Sequence, residues 1–167
     1  ASGRQYLVHN SKPADPGRYT ENNNILYVDE EGLIKRVVYG DRPMVALTFD
    51  DGPSKYTEQI LDVFDRYDQK ATFFVNGEDI PSYKNAVRRQ HDEGFLTGNH
   101  TQNHKNLVKL SVEDIKEQVS LTDDALFEVC GIKTEYLRAP EGAADEKVKR
   151  TVNLPLINWA VDTRDWS

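Results

Sequence analysis

The chain has 167 residues, enough for one domain with a sizeable core and too few for two ordinary domains. Its composition, with 38% hydrophobic and 29% charged residues, excludes a disordered chain and a fibrous repeat. The net charge of -7 argues against a nucleic-acid partner, because the short Lys/Arg clusters give no basic stripe to neutralise a phosphate backbone.

The first 40 residues are predicted to form an N-terminal arm followed by a hairpin. Residues 1 to about 24 are rich in Asn, Ser, Pro, Asp and Gly and lack apolar periodicity, which predicts an irregular lead-in. The β-rich runs 25–28 and 33–39 flank a turn that contains Gly32, and this pattern predicts a β-hairpin. Residues 41–167 are then expected to form the main domain.

Predicted strands and helices alternate from residue 44 onward. The apolar run 44–49 is predicted to be a strand that is buried on both faces and ends at Asp50. The other predicted strands are 71–75, 95–97, 136–137 and 156–161, and the predicted helices are 54–67, 82–93, 111–130 and 144–152. Repeated β-then-α units predict an α/β fold with a mostly parallel sheet and an active site at the C-terminal ends of its strands. No apolar run approaches the ~20 residues of a membrane span.

Polar residues that can bind metal recur just past the predicted strand ends. In chain order they are Asp50, Asp51, His100, His104, Arg138, Asp162 and Asp165. If the strands are parallel, these side chains converge on one face of the sheet.

The histidine pair and one carboxylate predict a metal site. His100 and His104 are four residues apart, so on one helical turn their imidazoles would lie on the same side. Asp51 would complete a set of two histidines and one carboxylate, which suits Zn²⁺ and also Co²⁺, Fe²⁺ or Mn²⁺. An isolated pair of this spacing is more often structural, but the adjacent carboxylates of Asp50 and Asp51 repel each other and favour a cation nearby.

A metal-bound water requires a base, and Asp50 is the predicted one. Neighbouring strand residues face opposite ways, so Asp50 would point away from the ligand Asp51. Arg138 is predicted to hold the Asp50 carboxylate ionised and oriented. Together these residues predict hydrolysis of a substrate that develops an oxyanion.

Four motifs carry a family resemblance. They are Thr48-Phe49-Asp50-Asp51-Gly52-Pro53, His100-Thr101-Gln102-Asn103-His104, Arg138-Ala139-Pro140-Glu141-Gly142 and Asp162-Thr163-Arg164-Asp165-Trp166. From about residue 44 onward, their order and approximate spacing resemble the polysaccharide deacetylase family, also called carbohydrate esterase family 4 or the NodB homology domain. The resemblance implies a deformed (β/α) barrel that removes acetyl groups from chitin oligomers, peptidoglycan amino sugars or acetylated xylan.

The resemblance also implies a role for each motif residue. Asp50 is similar to the family's catalytic base, and Arg138 to the residue that positions it. The residues that resemble the metal ligands are Asp51, His100 and His104.

Three further roles follow from the resemblance alone. The Glu141 backbone N–H resembles the oxyanion donor, Trp166 the wall of the acetyl pocket, and Asp162 the residue that tunes the catalytic acid. The family usually has an aromatic residue at the position of Glu141, so a charge is expected at the edge of the groove. The family's last motif supplies an acid histidine beyond the aspartate-tryptophan motif, and the chain stops at Ser167. The last strand and helix of the barrel are therefore expected to be missing, with a second chain or a further C-terminal segment completing the domain.

These observations predict a metal-dependent carbohydrate deacetylase that hydrolyses the C–N bond of a linear amide. The expected substrate is an N-acetylglucosamine-containing polysaccharide such as peptidoglycan or a chitin-like polymer, at an extracellular or cell-wall location. Without the acid histidine the rate would be impaired. The alternatives are a sugar-binding or scaffold domain of the same fold and an acetylxylan O-deacetylase. A phosphoesterase is less favoured, because the sequence offers ligands for only one ion.

Overall fold

The computed structural model describes residues 8–9, 12–13, 15–21, 24–28, 30–31, 34–38, 40, 43 and 45–167. The chain forms two compact units, Ala1–Val45 and Ala46–Ser167. The predicted domain boundary after residue 40 stays a prediction. A search of the helices in these residues finds none that is long and apolar enough to cross a membrane.

The first unit is built from antiparallel strands. Strands β1 (Val8–His9) and β2 (Lys12–Pro13) pair with each other. Strands β3 (Gly17–Glu21), β4 (Asn24–Val28) and β5 (Ile34–Val38) form a sheet in that order. The β4–β5 pair lies at the position of the predicted hairpin, while its predicted turn residue Gly32 is outside the described residues.

The prediction of an irregular lead-in up to residue 24 is wrong for β3, which pairs with β4 along its full length. Only Tyr19 of this strand is partly buried, and it packs on the buried side chains of Leu26 and Val28. A strand that buries one side chain has no apolar alternation, so sequence periodicity could not reveal it.

The second unit confirms the predicted α/β class with a parallel sheet. Strands β6 (Thr48–Gly52), β7 (Thr72–Val75) and β8 (Leu96–Asn99) pair in parallel in that order. Leu137 then bridges Asn99 on one side and Leu156 on the other, again in parallel. The sheet thus brings the residues that follow these strands to one edge.

Helices connect and cover these strands. They are α1 (Thr57–Arg66), α2 (Lys84–Asp92), α3 (Val112–Cys130) and α4 (Glu146–Thr151), with 3₁₀ helices at Gly77–Tyr83, Leu107–Lys109 and Pro140–Gly142. Helix α3 begins and ends where its sequence predicts. The Ser111 side chain accepts a hydrogen bond from the Asp114 N–H at its start, and Gly131 adopts a left-handed conformation after its end.

A cluster of phenylalanines forms the core beneath β6 and β7. Phe49 stacks on Phe73 with ring centroids 5.2 Å apart, and both rings pack near Phe64 of α1 and Phe95. The predicted helix 54–67 ends one residue earlier, at Arg66, and Tyr67 after it is 68% exposed. The cluster fixes the base of β6, the strand that carries the first motif.

Two predicted strands differ in the structure. The first begins at Thr48, and Val45 and Leu47 before it are 83% and 51% exposed, so the predicted burial on both faces is wrong there. Among the described residues β6 pairs with β7 alone, which leaves its other edge uncovered. In the predicted strand 156–161 only Leu156 pairs, and Trp159 is 42% exposed rather than in the core. An apolar run at the edge of a sheet has the same sequence pattern as a strand that is buried on both faces, although part of its surface is exposed to solvent.

Candidate active site

The two aspartates of the first motif lie at the end of β6, where the strand pairing breaks. The register with β7 shifts between Phe49 and Gly52, and Asp51 adopts a left-handed backbone conformation with φ of 62°. Non-glycine residues held in this region cluster at functional sites. Asp50 and Asp51 were expected to follow the strand, whereas the structure places them within its last residues.

The histidine pair lies on a loop and not on a helix, so the predicted helical turn is wrong. His100 follows β8 directly, and the loop reverses through left-handed residues at Thr101 and His104, with φ of 71° and 54°. This backbone brings the imidazole centroids to 5.1 Å from each other. The two imidazoles therefore lie close together as predicted, but a loop with left-handed residues brings them there and not a helical turn.

Asp51, His100 and His104 bring three ligand atoms together within 4.8 Å of one another. Asp51 Oδ1 lies 3.3 Å from Nε2 of each histidine. The Nδ1–H of His100 donates to the Arg138 carbonyl oxygen at 2.7 Å, so Nε2 is the ring nitrogen that faces Asp51. A hydrogen bond on the far ring nitrogen is the usual way to orient a metal-binding imidazole.

The electrostatics of this trio fit a divalent cation. The hydrogen bond from His100 lowers the pKa of the Asp51 carboxyl and, with the charges of His100 and His104 and a hydrogen bond from Asn76, outweighs the raising effect of burial. Asp51 is thus held as a carboxylate beside two imidazoles. Two nitrogen ligands and one carboxylate oxygen with open positions suit Zn²⁺, Co²⁺, Fe²⁺ or Mn²⁺.

The Asp50 carboxylate lies beside the trio and pairs with Arg138. Arg138 Nη1 donates to Asp50 Oδ1 at 2.6 Å, and the other oxygen, Oδ2, lies 4.0 Å from His100 Nε2. One oxygen of Asp50 is therefore fixed by the guanidinium, while the other faces the space beside the histidines. That is the geometry a base needs next to a metal site.

Arg138 is buried and held from several sides. Its guanidinium also donates to Thr48 Oγ1 at 2.8 Å and to the Ile157 carbonyl at 3.0 Å. The Phe74 ring lies 4.1 Å from the guanidinium carbon and the Trp159 ring 5.7 Å from it. A buried charge with several hydrogen bonds and aromatic faces keeps one orientation, so the Asp50 carboxylate does too.

Sequence reasoning missed the side chains that support the two loops. Asn99 is fully buried, accepts from the Thr101 N–H at 2.8 Å and donates to Asp123. Asn76, at the end of β7, donates to Asp51. Polar residues just past strand ends were a usable signal for Asn76 and Asn99, although an amide alone does not indicate a catalytic site.

Gly77 is predicted to be irreplaceable by alanine. Its N–H donates to the Thr101 carbonyl at 3.1 Å, and a Cβ there would meet Gln102 Oε1 and lie 2.8 Å from the Thr122 Cα. Because a backbone atom cannot rotate away, Gly77→Ala should lower the free energy of unfolding by about 1–3 kcal/mol. Urea denaturation tests this, with the exposed Ser82→Ala of the same 3₁₀ helix as control. An unchanged midpoint in Gly77→Ala would contradict the tight packing.

Glu141 lies in the turn Pro140–Gly142 with a left-handed backbone, φ of 59°. Its side chain is exposed, and Oε2 accepts a hydrogen bond from Asn106 Nδ2 at 2.7 Å. Asn106 lies two residues after His104, and Glu141 three residues after Arg138. The bond therefore connects the histidine loop to the arginine loop.

Asp162 and Trp166 are not seen in contact with the other site residues. Asp162 Oδ1 accepts from the Arg164 N–H at 2.9 Å and from the Trp166 indole N–H at 3.4 Å, all within its own segment. Trp166 is 78% exposed. Asp165 is also exposed, and a hydrogen bond from the Thr163 hydroxyl lowers its pKa. The structure thus assembles five of the predicted residues and leaves this motif on the surface.

Comparisons with known proteins agree with this geometry. The family model of polysaccharide deacetylase matches residues 38–155, which span all of the clustered side chains. A peptidoglycan-N-acetylglucosamine deacetylase from Listeria monocytogenes, PgdA, is 40% identical over 123 residues, which are 73% of this chain and 26% of that protein. A protein of the same description from Bacillus cereus is 39% identical over 126 residues, covering 73% of this chain and 46% of that protein.

The fold also matches a solved structure. The peptidoglycan deacetylase PdaC from Bacillus subtilis superposes with a TM-score of 0.73 at 35% identity, covering 75% of this chain and 63% of that chain. The chain thus spans less than two thirds of the length of each of these three proteins. The predicted fold, part of a deformed (β/α) barrel, is confirmed by this likeness. The chain belongs to the polysaccharide deacetylase family.

Proposed function

We propose that the chain hydrolyses acetyl groups from an N-acetylglucosamine-containing polysaccharide with a divalent metal, preferentially Zn²⁺. One observation carries the proposal: the Asp50 carboxylate, fixed by Arg138 at 2.6 Å, lies beside the trio of Asp51, His100 and His104. A base held next to a metal-binding trio is what hydrolysis of an unactivated amide requires.

In the proposed mechanism Asp51, His100 and His104 hold the ion. The ion, when bound, polarises the acetyl carbonyl and makes water more acidic. Asp50 accepts the proton of the attacking water through the oxygen that Arg138 does not hold. Arg138 keeps that carboxylate oriented, and its carbonyl keeps the His100 ring in place.

The remaining predicted roles are part of the same proposal. The Glu141 N–H, in a left-handed turn three residues after Arg138, donates to the developing oxyanion. Trp166 bounds the acetyl group and Asp162 tunes the acid that protonates the leaving amine.

Peptidoglycan or a chitin-like polymer is the proposed substrate, since the Listeria and Bacillus cereus relatives are named for N-acetylglucosamine in peptidoglycan. Such a polymer places the reaction in the cell wall or outside the cell. Acetylated xylan is the competing substrate, because amide and ester hydrolysis use the same oxyanion chemistry.

Acetate release tests the proposal. The zinc-loaded chain is incubated with an N-acetylated chitin oligomer, purified peptidoglycan or acetylated xylan, and acetate is measured with the new free amines. We expect acetate and amine in equal amounts from the first two substrates. Release from xylan alone would replace the proposed amide substrate by an ester. Binding of the oligomer without any release would favour a sugar-binding domain.

A further inference from the structure

Glu141 has a fixed position at the open side of the site. The His100 and Arg138 side chains are each 3% exposed, whereas His104 and Asp51 are 40% and 63% exposed, so the trio opens toward His104 and Asp51. Glu141 is bonded to Asn106, two residues beyond His104. Its carboxylate is therefore held against the loop that carries His104, the more exposed histidine of the trio.

One hydrogen bond holds this carboxylate, and a second one holds the amide that donates it. Asn106 Nδ2 donates to Glu141 Oε2, and Asn106 Oδ1 accepts from the Val108 N–H at 3.1 Å. The amide is thus fixed at both ends, and the left-handed backbone of Glu141 fixes the turn below. A side chain held at both its backbone and its tip loses little further freedom when it binds a ligand.

The carboxylate lacks a neutralising partner in the described part of the chain. Among the described residues, no Lys, Arg or His nitrogen forms an ion pair with Glu141 within 4.0 Å. The nearby Lys147 ammonium donates to the Val108 and Leu110 carbonyls at 2.9 and 2.6 Å. Asn106 is a neutral donor, so its hydrogen bond brings no opposite charge to Glu141.

We propose that Glu141 is a specificity-determining residue that favours an N-acetyl sugar next to a free amino sugar, and disfavours one next to a carboxylate. This inference rests on the proposed function. Hydrolysis breaks the C–N bond of the acetamide, the acetyl group leaves as acetate with the oxygen of water, and the nitrogen stays on the sugar as an ammonium. An ammonium beside the next target attracts Glu141, so partly deacetylated polymer is the preferred substrate.

The variant Glu141→Gln removes the charge alone, because glutamine Oε1 still accepts the hydrogen bond from Asn106. Glu128→Gln on α3 is the control, an equal loss of charge at an exposed residue away from the site. Three acetylated oligomers of equal length are compared: neutral, with one free amine, and with one carboxylate. Binding by calorimetry and acetate release are both measured on the zinc-loaded chain, at mildly acidic pH where amines are protonated.

The wild type and Glu128→Gln should bind the amine-bearing oligomer about two- to fivefold more tightly than the neutral one, and the carboxylate-bearing oligomer correspondingly less tightly. In Glu141→Gln the three affinities should be equal. High salt should reduce the wild-type preference, because it screens an exposed charge pair.

Equal ratios in the wild type and Glu141→Gln, with acetate still released, would overturn the role of Glu141 and leave the proposed function standing. A binding preference that depends on Glu141 without acetate release would uphold the charge selectivity and refute the deacetylase function. Thermal unfolding of Glu141→Gln shows whether the connection between the loops is intact, and a lower midpoint would make the residue structural.

Discussion

Replacing Asp50 by asparagine is expected to reduce acetate release by about 10²–10⁴-fold, the usual contribution of a positioned general base. Asparagine has nearly the shape of aspartate, and its Oδ1 still accepts from Arg138 Nη1, which lies 2.6 Å from the native oxygen. What is lost is the oxygen proposed to take the proton. Acetate release from a chitin oligomer, at saturating zinc, measures the effect.

The bound metal separates this effect from a damaged site. Asp50 Oδ2 is 4.0 Å from His100 Nε2 and is outside the trio proposed to hold the ion, so Asp50→Asn should bind as much zinc as the wild type. Activity within threefold of the wild type would refute Asp50 as the base. Loss of zinc together with activity would instead move Asp50 into the ligand set.

His100→Ala is expected to remove the metal almost completely. The wild type should hold about one zinc ion per chain after removal and restoration of the metal, since a site with three protein ligands is a typical catalytic zinc site. The variant loses one of the three ligand atoms that lie within 4.8 Å of one another. Elemental analysis of dialysed protein measures zinc per chain.

A second histidine variant distinguishes the loss of a metal ligand from misfolding. His100 is buried, and its removal leaves the Arg138 carbonyl without its partner, whereas the His104 side chain is 40% exposed. His104→Ala should therefore fold and still lose most of the zinc. His91→Ala, on α2 away from the trio, should keep it. Full zinc content in His104→Ala would rule out the proposed ligand set.

The sequence predicted the strand and helix order well wherever the apolar pattern was strong. Helix α3 has a serine cap, a long apolar stripe and a terminating glycine, and it begins and ends as expected. The prediction was wrong where only one side of a segment is buried. Strand β3 buries only Tyr19, and Val45 and Leu47 are apolar yet exposed, because exposure at an edge depends on which neighbours are present.

The sequence predicted which residues form the site better than it predicted their backbone geometry. Asp51, His100 and His104 do come together, and Arg138 does hold Asp50. The backbone that achieves this is a loop with left-handed residues, and periodicity rules do not describe such conformations. Supporting side chains such as Asn106 were missed for a related reason, since long-range hydrogen bonds leave no local pattern.

Arg138 acts on the two halves of the site through different atoms. Its main-chain carbonyl orients His100, and its side chain orients Asp50. A main-chain carbonyl survives any substitution, whereas the guanidinium does not. A single substitution of Arg138 should therefore remove the guanidinium from Asp50 and keep the carbonyl that orients His100. Under the proposed function, a lineage that duplicates this gene has a short evolutionary route to a protein that keeps its metal site and loses its oriented base.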